Sequence, residues 1–239
     1  MTQTTSPAAV REDPLRFGVG ARVTICVMAD RYAEFILGAL QDTDLSGLEV
    51  RTGDVSTWLG GDEKSLLRGL TDLTSAVAAT GNHASISLML SRGCPGEAVC
   101  EAPGGAGPRA VPIPAGRRTG QFASAEWSLY PLADVAPTAD DAPDAGTGAA
   151  GTGTAGSGTA PPSGHRPDHM RDIYAAIDHA RSCGIEVSTE HYATRLAGDL
   201  GLILETVVAA WVLTGQSIQH VTTHLTISVN SPSHPGVQA

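Results

Sequence analysis

The chain has 239 residues, of which 41% are hydrophobic, enough for one large domain or two of ordinary size. Its 15 basic and 25 acidic side chains give a formal net charge of −10. An acidic chain without a run of Lys or Arg is a poor match for nucleic acid or an anionic membrane surface, so we expect neither as a partner.

From the N-terminal residues, the most apolar stretch and the cysteines, we expect a cytoplasmic protein. The N-terminal residues lack the basic and apolar regions of a signal peptide. The most apolar stretch, residues 200–213, contains Glu205 and is too short to span a bilayer, so we expect no membrane insertion. The four cysteines form no dense framework, which fits a reducing compartment. Cys94 and Cys100 could form a bridge or hold a metal, or they are ordinary free thiols.

An internal repeat organises the sequence. Residues 31–96 align without a gap with residues 168–233, at a shift of 137 and with 15 identities in 66 positions. The segment before each block also repeats, because residues 22–30 align with residues 126–134 at a shift of 104. The shifts differ by 33 residues, so the second copy carries an insertion of that length.

The repeat divides the chain into two similar units and three other segments. We expect the repeats to occupy residues 21–96 and 121–234, after a flexible N-terminal tail over residues 1–20 and on either side of a Pro/Gly-rich linker over residues 97–120. The insertion, residues 135–167, is rich in Gly, Ala, Thr, Pro and Asp. It has almost nothing to bury and is predicted to be a disordered loop inside the second repeat.

In the first repeat, the pattern predicts a strand over residues 23–28 and then a helix with Asp30 as its N-cap. Short β-rich runs over residues 48–52 and 55–59 are separated by Gly-Asp, a strong hairpin signal. The unit closes with a strand over residues 84–91. The two helices between these strands show apolar faces at helical spacing: Tyr32, Ile36, Ala39 and Leu40 on the first, and Leu66, Leu67, Leu70, Leu73 and Val77 on the second, which Asp62 opens.

The second repeat has the same order of elements. Its helices are marked by Ile173, Tyr174, Ile177 and Ala180, and by Ile203, Leu204, Val207 and Trp211. Strand–helix–strand–strand–helix–strand is the ferredoxin-like order. We therefore predict an α+β protein of two tandem ferredoxin-like βαββαβ repeats, each with two helices on a four-stranded antiparallel sheet.

Strand alternation selects Thr57 and Thr194 as candidate ligand-binding residues. Val55, Thr57 and Leu59 are expected to share the helix-facing side of the third strand, as are Tyr192, Thr194 and Leu196 in the second repeat. A hydroxyl in that apolar layer needs a partner. Each threonine is therefore either bonded to a nearby backbone carbonyl or lines a pocket, one per repeat.

The remaining polar positions have structural explanations beside functional ones. His220 and His224 share the outer side of the last strand. That face contacts either solvent or the other copy of the repeat. Alternatively, the two histidines ligate zinc, although no third ligand is evident. Asp62 and Asp199 suit helix N-caps better than catalysts. No phosphate loop, nucleophile elbow or close repeated carboxylate pair occurs, so we expect no enzyme, no catalytic residue, no metal and no cofactor.

Once aligned, the repeated motifs resemble the YkoF family of thiamine/hydroxymethylpyrimidine-binding proteins. The resemblance covers about 180 of the 239 residues. It lies in SLYPL (128–132), GIEVSTEHYAT (184–194), Gly198-Asp199, QHVTTHLTISVNSPS (219–233), and, in the first repeat, Ser56-Thr57 and SRGCPG (91–96).

The resemblance implies a tight homodimer with one small-molecule site in each repeat, taking thiamine mainly through its aminopyrimidine ring. Thr57 and Thr194 stand where the family carries Ser or Thr, and Asp30 and Asp134 end the first strands, where related amino-acid-binding modules hold their ligands. Tyr130 and Tyr192, with Trp127, could contact a flat ring in the second repeat, whereas the first repeat has Cys26, Val55 and Val23 at those positions. The second site is thus expected to be the better one unless its insertion blocks entry.

The function expected from the sequence is non-catalytic binding of thiamine or its hydroxymethylpyrimidine moiety in salvage or uptake. The alternatives are an enzyme of thiamine-pyrimidine metabolism that uses Asp62, His83 or their mates, and a structural ferredoxin-like oligomer without a ligand.

Overall fold

The fold was obtained as a computed structural model, which describes residues 6–93, 106–132 and 169–234. The predicted insertion, Asp134, Cys94 and Cys100 lie outside the described residues. The first half contains α1 (Pro7–Glu12), β1 (Gly20–Val27), α2 (Tyr32–Gln41), β2 (Glu49–Thr52), β3 (Thr57–Gly60), α3 (Glu63–Ala79) and β4 (Ala84–Arg92). The second half contains β5 (Phe122–Leu132), α4 (His169–Ser182), β6 (Glu186–Glu190), β7 (Ala193–Asp199), α5 (Leu200–Thr214) and β8 (His220–Val229).

All eight strands belong to one continuous antiparallel sheet with the order β2-β3-β1-β4-β8-β5-β7-β6. The two halves meet where β4 pairs with β8, from Ala84 opposite Val229 to Arg92 opposite Val221. Read from each outer edge inward, the two halves place their strands in the same relative order. The sequence predicted two four-stranded sheets, and this pairing joins all eight strands in a single sheet.

Alternating side chains give the sheet one apolar face, which the helices cover. Ile86, Leu88 and Leu90 of β4 are buried, as are the inward residues of β8, and the residues between them are more exposed. α2 packs on α3, α3 on α5, and α5 on α4, so these four of the five described helices form one layer. The core lies between this layer and the sheet.

Aspartates begin the two central helices, as the sequence predicted. The Asp62 carboxylate accepts hydrogen bonds from the backbone N–H groups of Lys64 and Ser65, both at 3.0 Å. The Asp199 carboxylate accepts from Gly201 and Leu202, at 3.0 and 3.2 Å. These bonds satisfy backbone donors that the first helical turn leaves without intrahelical partners.

Other local predictions were wrong. Arg31, not Asp30, is the N-cap residue of α2, and its side chain makes no capping bond. Tyr32 and Tyr174 were assigned to buried helix faces, but both rings are more than half exposed. The predicted turn pair was Gly53-Asp54. The turn is instead centred on the next pair, because the Gly53 N–H donates to the carbonyl of Ser56 at 3.0 Å.

The described part of the predicted tail and linker packs against the helices. Phe17 is fully buried and Val10 nearly so, although both lie in the segment predicted to be flexible. In the predicted linker, Ala106 and Arg109 are buried. Isolated anchors of this kind give no periodic signal in the sequence, which explains why the packing was not predicted.

A buried ion cluster fastens these segments to both halves. The Glu63 carboxylate lies 3.5 Å from Arg92 Nη1 and 3.3 Å from Arg109 Nε. The Arg92 guanidinium also lies over the rings of Trp211, 5.7 Å from the centroid, and Phe17, at 6.0 Å. Burial lowers the pKa of Arg92 to about 10, against the opposing effect of Glu63, so Arg92 stays charged at neutral pH.

Candidate ligand-binding clefts

The structure contains two clefts at equivalent positions, one in each half. The first cleft, of about 230 Å³, lies between β1, α2 and the β2–β3 hairpin. The second, of about 350 Å³, lies between β5, α4 and the β6–β7 hairpin. The shifts that relate the repeats carry Val23, Ile25, Ile36, Val55 and Thr57 of the first cleft onto Trp127, Leu129, Ile173, Tyr192 and Thr194 of the second.

Thr57 and Thr194 line their respective clefts but differ in hydrogen bonding. Thr57 is buried, and its Oγ1 lies 3.2 Å from Oγ1 of Thr52 across the hairpin. Thr194 is partly exposed, and among the described residues its hydroxyl has no hydrogen-bond partner. Within the described residues, the second cleft therefore presents a hydroxyl that is not already hydrogen-bonded.

The hairpin beside each cleft is tied to the first strand of its half by a repeated hydrogen bond. Thr24 Oγ1 donates to the carbonyl of Val55 at 3.4 Å. At the equivalent place, Ser128 Oγ donates to the carbonyl of Tyr192 at 3.0 Å. The bond fixes one wall of each cleft with respect to the sheet.

Aromatic side chains distinguish the second cleft from the first. Tyr130 and Tyr192 line it with exposed rings. Trp127 forms its buried floor, and its Nε1–H donates to Thr223 Oγ1 at 2.8 Å, so this ring is held in place. The first cleft has Val23 and Val55 at the positions of Trp127 and Tyr192, and Cys26, at the position of Tyr130, is not among its lining residues.

Tyr192 has an uncommon backbone conformation. Its φ is 64°, in the left-handed region that favours glycine, and its side chain is 100% exposed. Such strain in a bulky residue costs about 1–2 kcal/mol and needs support from the surrounding structure. Tyr192 and Val55 lie in the hairpin turns, so the prediction that both side chains face the helices was wrong.

Each cleft carries one carboxylate in its wall, and the described part of either lining contains no Lys, Arg or His. In the first cleft the carboxylate belongs to Asp54, and in the second to Glu190. The sequence did not single out these two acids. Both acids lie in the hairpins, a few residues before the predicted threonines. This proximity in the sequence is the signal from which they could have been predicted.

The other predicted site residues lie elsewhere. Asp30 is exposed and does not line the first cleft, because it lies beyond the end of β1. Asp134 lies outside the described residues.

His220 and His224, the two histidines considered as zinc ligands, lie two positions apart on β8. His224 Nε2 is 3.1 Å from Ser87 Oγ on β4, so it bridges the β4–β8 seam. His83, named in the enzyme alternative, lies just before β4, and its Nε2 is 3.3 Å from Ser228 Oγ of β8. In the ranges that the structure describes, no three His, Cys, Asp or Glu side chains are grouped as metal ligands. Within the same ranges, no helix combines the length and apolar character needed to cross a bilayer.

Comparison with known proteins gives two matches. The model of the YKOF-related family matches residues 18–97 and 162–234, which together make up more than half of the chain. The chain is also 26% identical over 214 residues to the "Putative HMP/thiamine-binding protein YkoF" of Bacillus subtilis (strain 168). That alignment covers 90% of this chain and 91% of the relative.

Proposed function

Because the chain belongs to the YKOF-related family, we propose that it binds thiamine or its hydroxymethylpyrimidine moiety, one molecule in each cleft, without changing it chemically. The family relative is named for binding these compounds. The observation that carries the proposal is the pair of equivalent clefts, each with a threonine in an apolar wall.

The lining of the second cleft suits an aminopyrimidine. The ring is flat, so it can lie against Trp127 and Tyr192. Its nitrogens accept a hydrogen bond from the hydroxyl of Thr194, and its exocyclic amine donates one to Glu190. In the first cleft we assign the same contacts to Thr57, which is equivalent to Thr194, and to Asp54, which is the wall carboxylate but is aligned with His191.

Binding without catalysis is supported by the separation of the candidate acid–base residues from the clefts. General acid–base chemistry needs a proton donor and acceptor within hydrogen-bond reach of the reacting atoms. Asp62 is occupied as a helix cap, and His83 contacts Ser228 on the outer sheet face. The enzyme alternative would need these residues to act from outside both clefts.

We further propose that each half is a ferredoxin-like repeat. One unit used twice is supported by the shared strand order, by the equivalent caps Asp62 and Asp199, and by the hairpin bonds of Thr24 and Ser128.

We also propose that the protein forms a homodimer through the polar outer face of the sheet and acts in the cytoplasm in salvage or uptake. Light scattering on the purified chain tests the dimer, and a monomer at micromolar concentration would contradict it.

Calorimetric titration with thiamine and with hydroxymethylpyrimidine tests the function. We expect two binding events per chain and intact ligand by mass spectrometry after long incubation. A converted product would favour the enzyme, and no heat with either compound would favour a structural oligomer.

The Thr194→Val variant keeps the side-chain shape and removes the hydroxyl. It should lose about tenfold in affinity at one of the two sites, which corresponds to about 1.4 kcal/mol. Thr57→Val is the matched control at the first cleft and should lose less, since Thr52 already bonds that hydroxyl. Unchanged affinity in a folded Thr194→Val protein would remove this residue from the site.

A further inference from the structure

We propose that the two clefts differ in the charge of the ligand they accept: the second takes only cationic or neutral ligands, whereas the first also takes a phosphate ester. The inference rests on the proposed function and assigns a ligand class to each site. It follows from the opposite charges of Arg22 and Glu126, which occupy equivalent positions in the two halves.

Each cleft has one carboxylate in its wall, Asp54 in the first and Glu190 in the second, so the difference in charge lies beside the wall. Glu126 lies two residues before the lining residue Ser128 on β5, so both side chains are on the same face of the strand. A phosphate ester that extends from the bound ring over this face would meet carboxylates, and like charges at short range repel.

The first cleft has an arginine at its edge. Arg22 Nη1 donates to Ser56 Oγ at 3.1 Å, and Ser56 lines the cleft. The shift that relates the first strands carries Arg22 onto Glu126, so the same position of the repeat bears opposite charges in the two halves. A guanidinium with neighbouring hydroxyl groups is a suitable partner for a phosphate.

Arg195 does not cancel the acidic character of the second cleft. It lies opposite Glu126 in the sheet, but its Nη1 is 3.2 Å from the carboxylate of Glu186. Arg195 is therefore engaged with a carboxylate at the end of β6 opposite to Glu190, outside the cleft lining. Arg195, the basic residue opposite Glu126 in the sheet, is thus paired with the carboxylate of Glu186.

Titration of the full chain with thiamine and with thiamine monophosphate distinguishes the two sites by stoichiometry. We expect two molecules of thiamine per chain and one of the monophosphate, with at least a tenfold difference between the sites for the ester, or about 1.4 kcal/mol. Raising the salt concentration should narrow this difference, because the repelling groups are at the surface.

Two variants assign the sites. Arg22→Gln should abolish binding of the monophosphate and leave both thiamine sites. Glu126→Gln should allow a second molecule of the monophosphate, whereas the matched control Asp178→Asn, an exposed acid on α4 outside the lining, should not.

Equal filling of both sites by the monophosphate, or of neither, would overturn the charge inference while leaving the proposed function intact. Failure to bind thiamine at all would instead overturn the proposed function.

Discussion

The backbone of Tyr192 is strained, and its side chain is fully exposed in the described structure. Replacing it with glycine should relieve the strain, so the melting temperature of Tyr192→Gly should stay level or rise. The same change removes an aromatic surface from the second cleft, so affinity for thiamine there should fall by up to about tenfold. Stability and affinity are thus expected to move in opposite directions, as measured by calorimetry and thermal unfolding.

Tyr192→Asn is a useful companion variant because asparagine tolerates the left-handed region without adding chain flexibility. It should reproduce the loss of affinity. A large loss of stability in both variants would show that the tyrosine ring supports the hairpin, contrary to its exposure.

The two capping aspartates should differ in their contribution to stability. Asp62 caps α3 and also accepts a bond from Ser65 Oγ at 2.7 Å. Asp199 caps α5 and accepts backbone N–H bonds from Thr119, at 3.1 Å, and Gly120, at 2.8 Å. We expect Asp62→Ala to cost about 1 kcal/mol of unfolding free energy and Asp199→Ala about 2 kcal/mol, because the latter also releases the linker.

The contribution of Asp62 should depend on pH. Burial raises the pKa of its carboxyl group, but hydrogen bonds from Ser65 and Lys64 outweigh this effect and hold the pKa below its ordinary value. Its charge therefore stabilises the fold above the pKa of the unfolded carboxyl, and this contribution is lost as pH falls through the lower folded value. Denaturant unfolding of wild type and Asp62→Ala should show a difference at neutral pH that shrinks in acid. A constant difference would contradict a charge-dependent cap.

At the scale of elements, two helical glycines should respond in opposite ways to the same substitution. A Cβ at Gly38 of α2 would meet nothing within 4 Å, so Gly38→Ala should stabilise the protein by about 0.5–1 kcal/mol. A Cβ at Gly201 of α5 would lie 1.9 Å from the carbonyl oxygen of Arg117. Gly201→Ala should therefore destabilise the protein by about 1–3 kcal/mol, since the linker backbone must move. A stabilising Gly201→Ala in thermal unfolding would show that the linker does not pack there.

The elements within each half of the chain were predictable because their signals are local. The apolar spacing of α3, with Leu66, Leu70 and Val77 buried, and the capping aspartates agree with the sequence pattern. The tail and linker were not predictable, because their packing depends on single anchors such as Phe17 and Arg109 in segments without periodicity. The pairing of β4 with β8 was not predictable either, because it joins residues far apart in the sequence. The alternation of buried and exposed side chains along a strand is the same whether the edge of that strand is paired or free.

For the candidate site, alternation selected Thr57 and Thr194, and both line clefts. Asp54 and Glu190 were missed because an acid next to a turn is ordinary in a surface hairpin. Their place in the cleft walls appears only when the hairpin is folded beside the first helix of its half.

At the scale of the whole molecule, the joined sheet should make both halves unfold together. Leu88 of β4 is fully buried and lies opposite Leu225 of β8 at the seam. Leu88→Ala should cost about 2–5 kcal/mol and lower hydrogen-exchange protection in both α3 and α5. Exposed Met89→Ala, at the next position of the same strand, is the matched control and should change little. Loss of protection confined to the first half would show that the halves unfold independently.

A sheet that does not close into a barrel ends in two outer strands, here β2 and β6, where further chains could add and build fibres. Both strands carry charged side chains. The Glu49 carboxylate lies 2.7 Å from Arg51 Nη2 on β2, and Glu186 and Glu190 lie at the ends of β6. Another copy adding in line would have to bury these charges, which opposes addition at either edge. The charged side chains of the two outer strands are thus expected to protect the protein against aggregation at its edges.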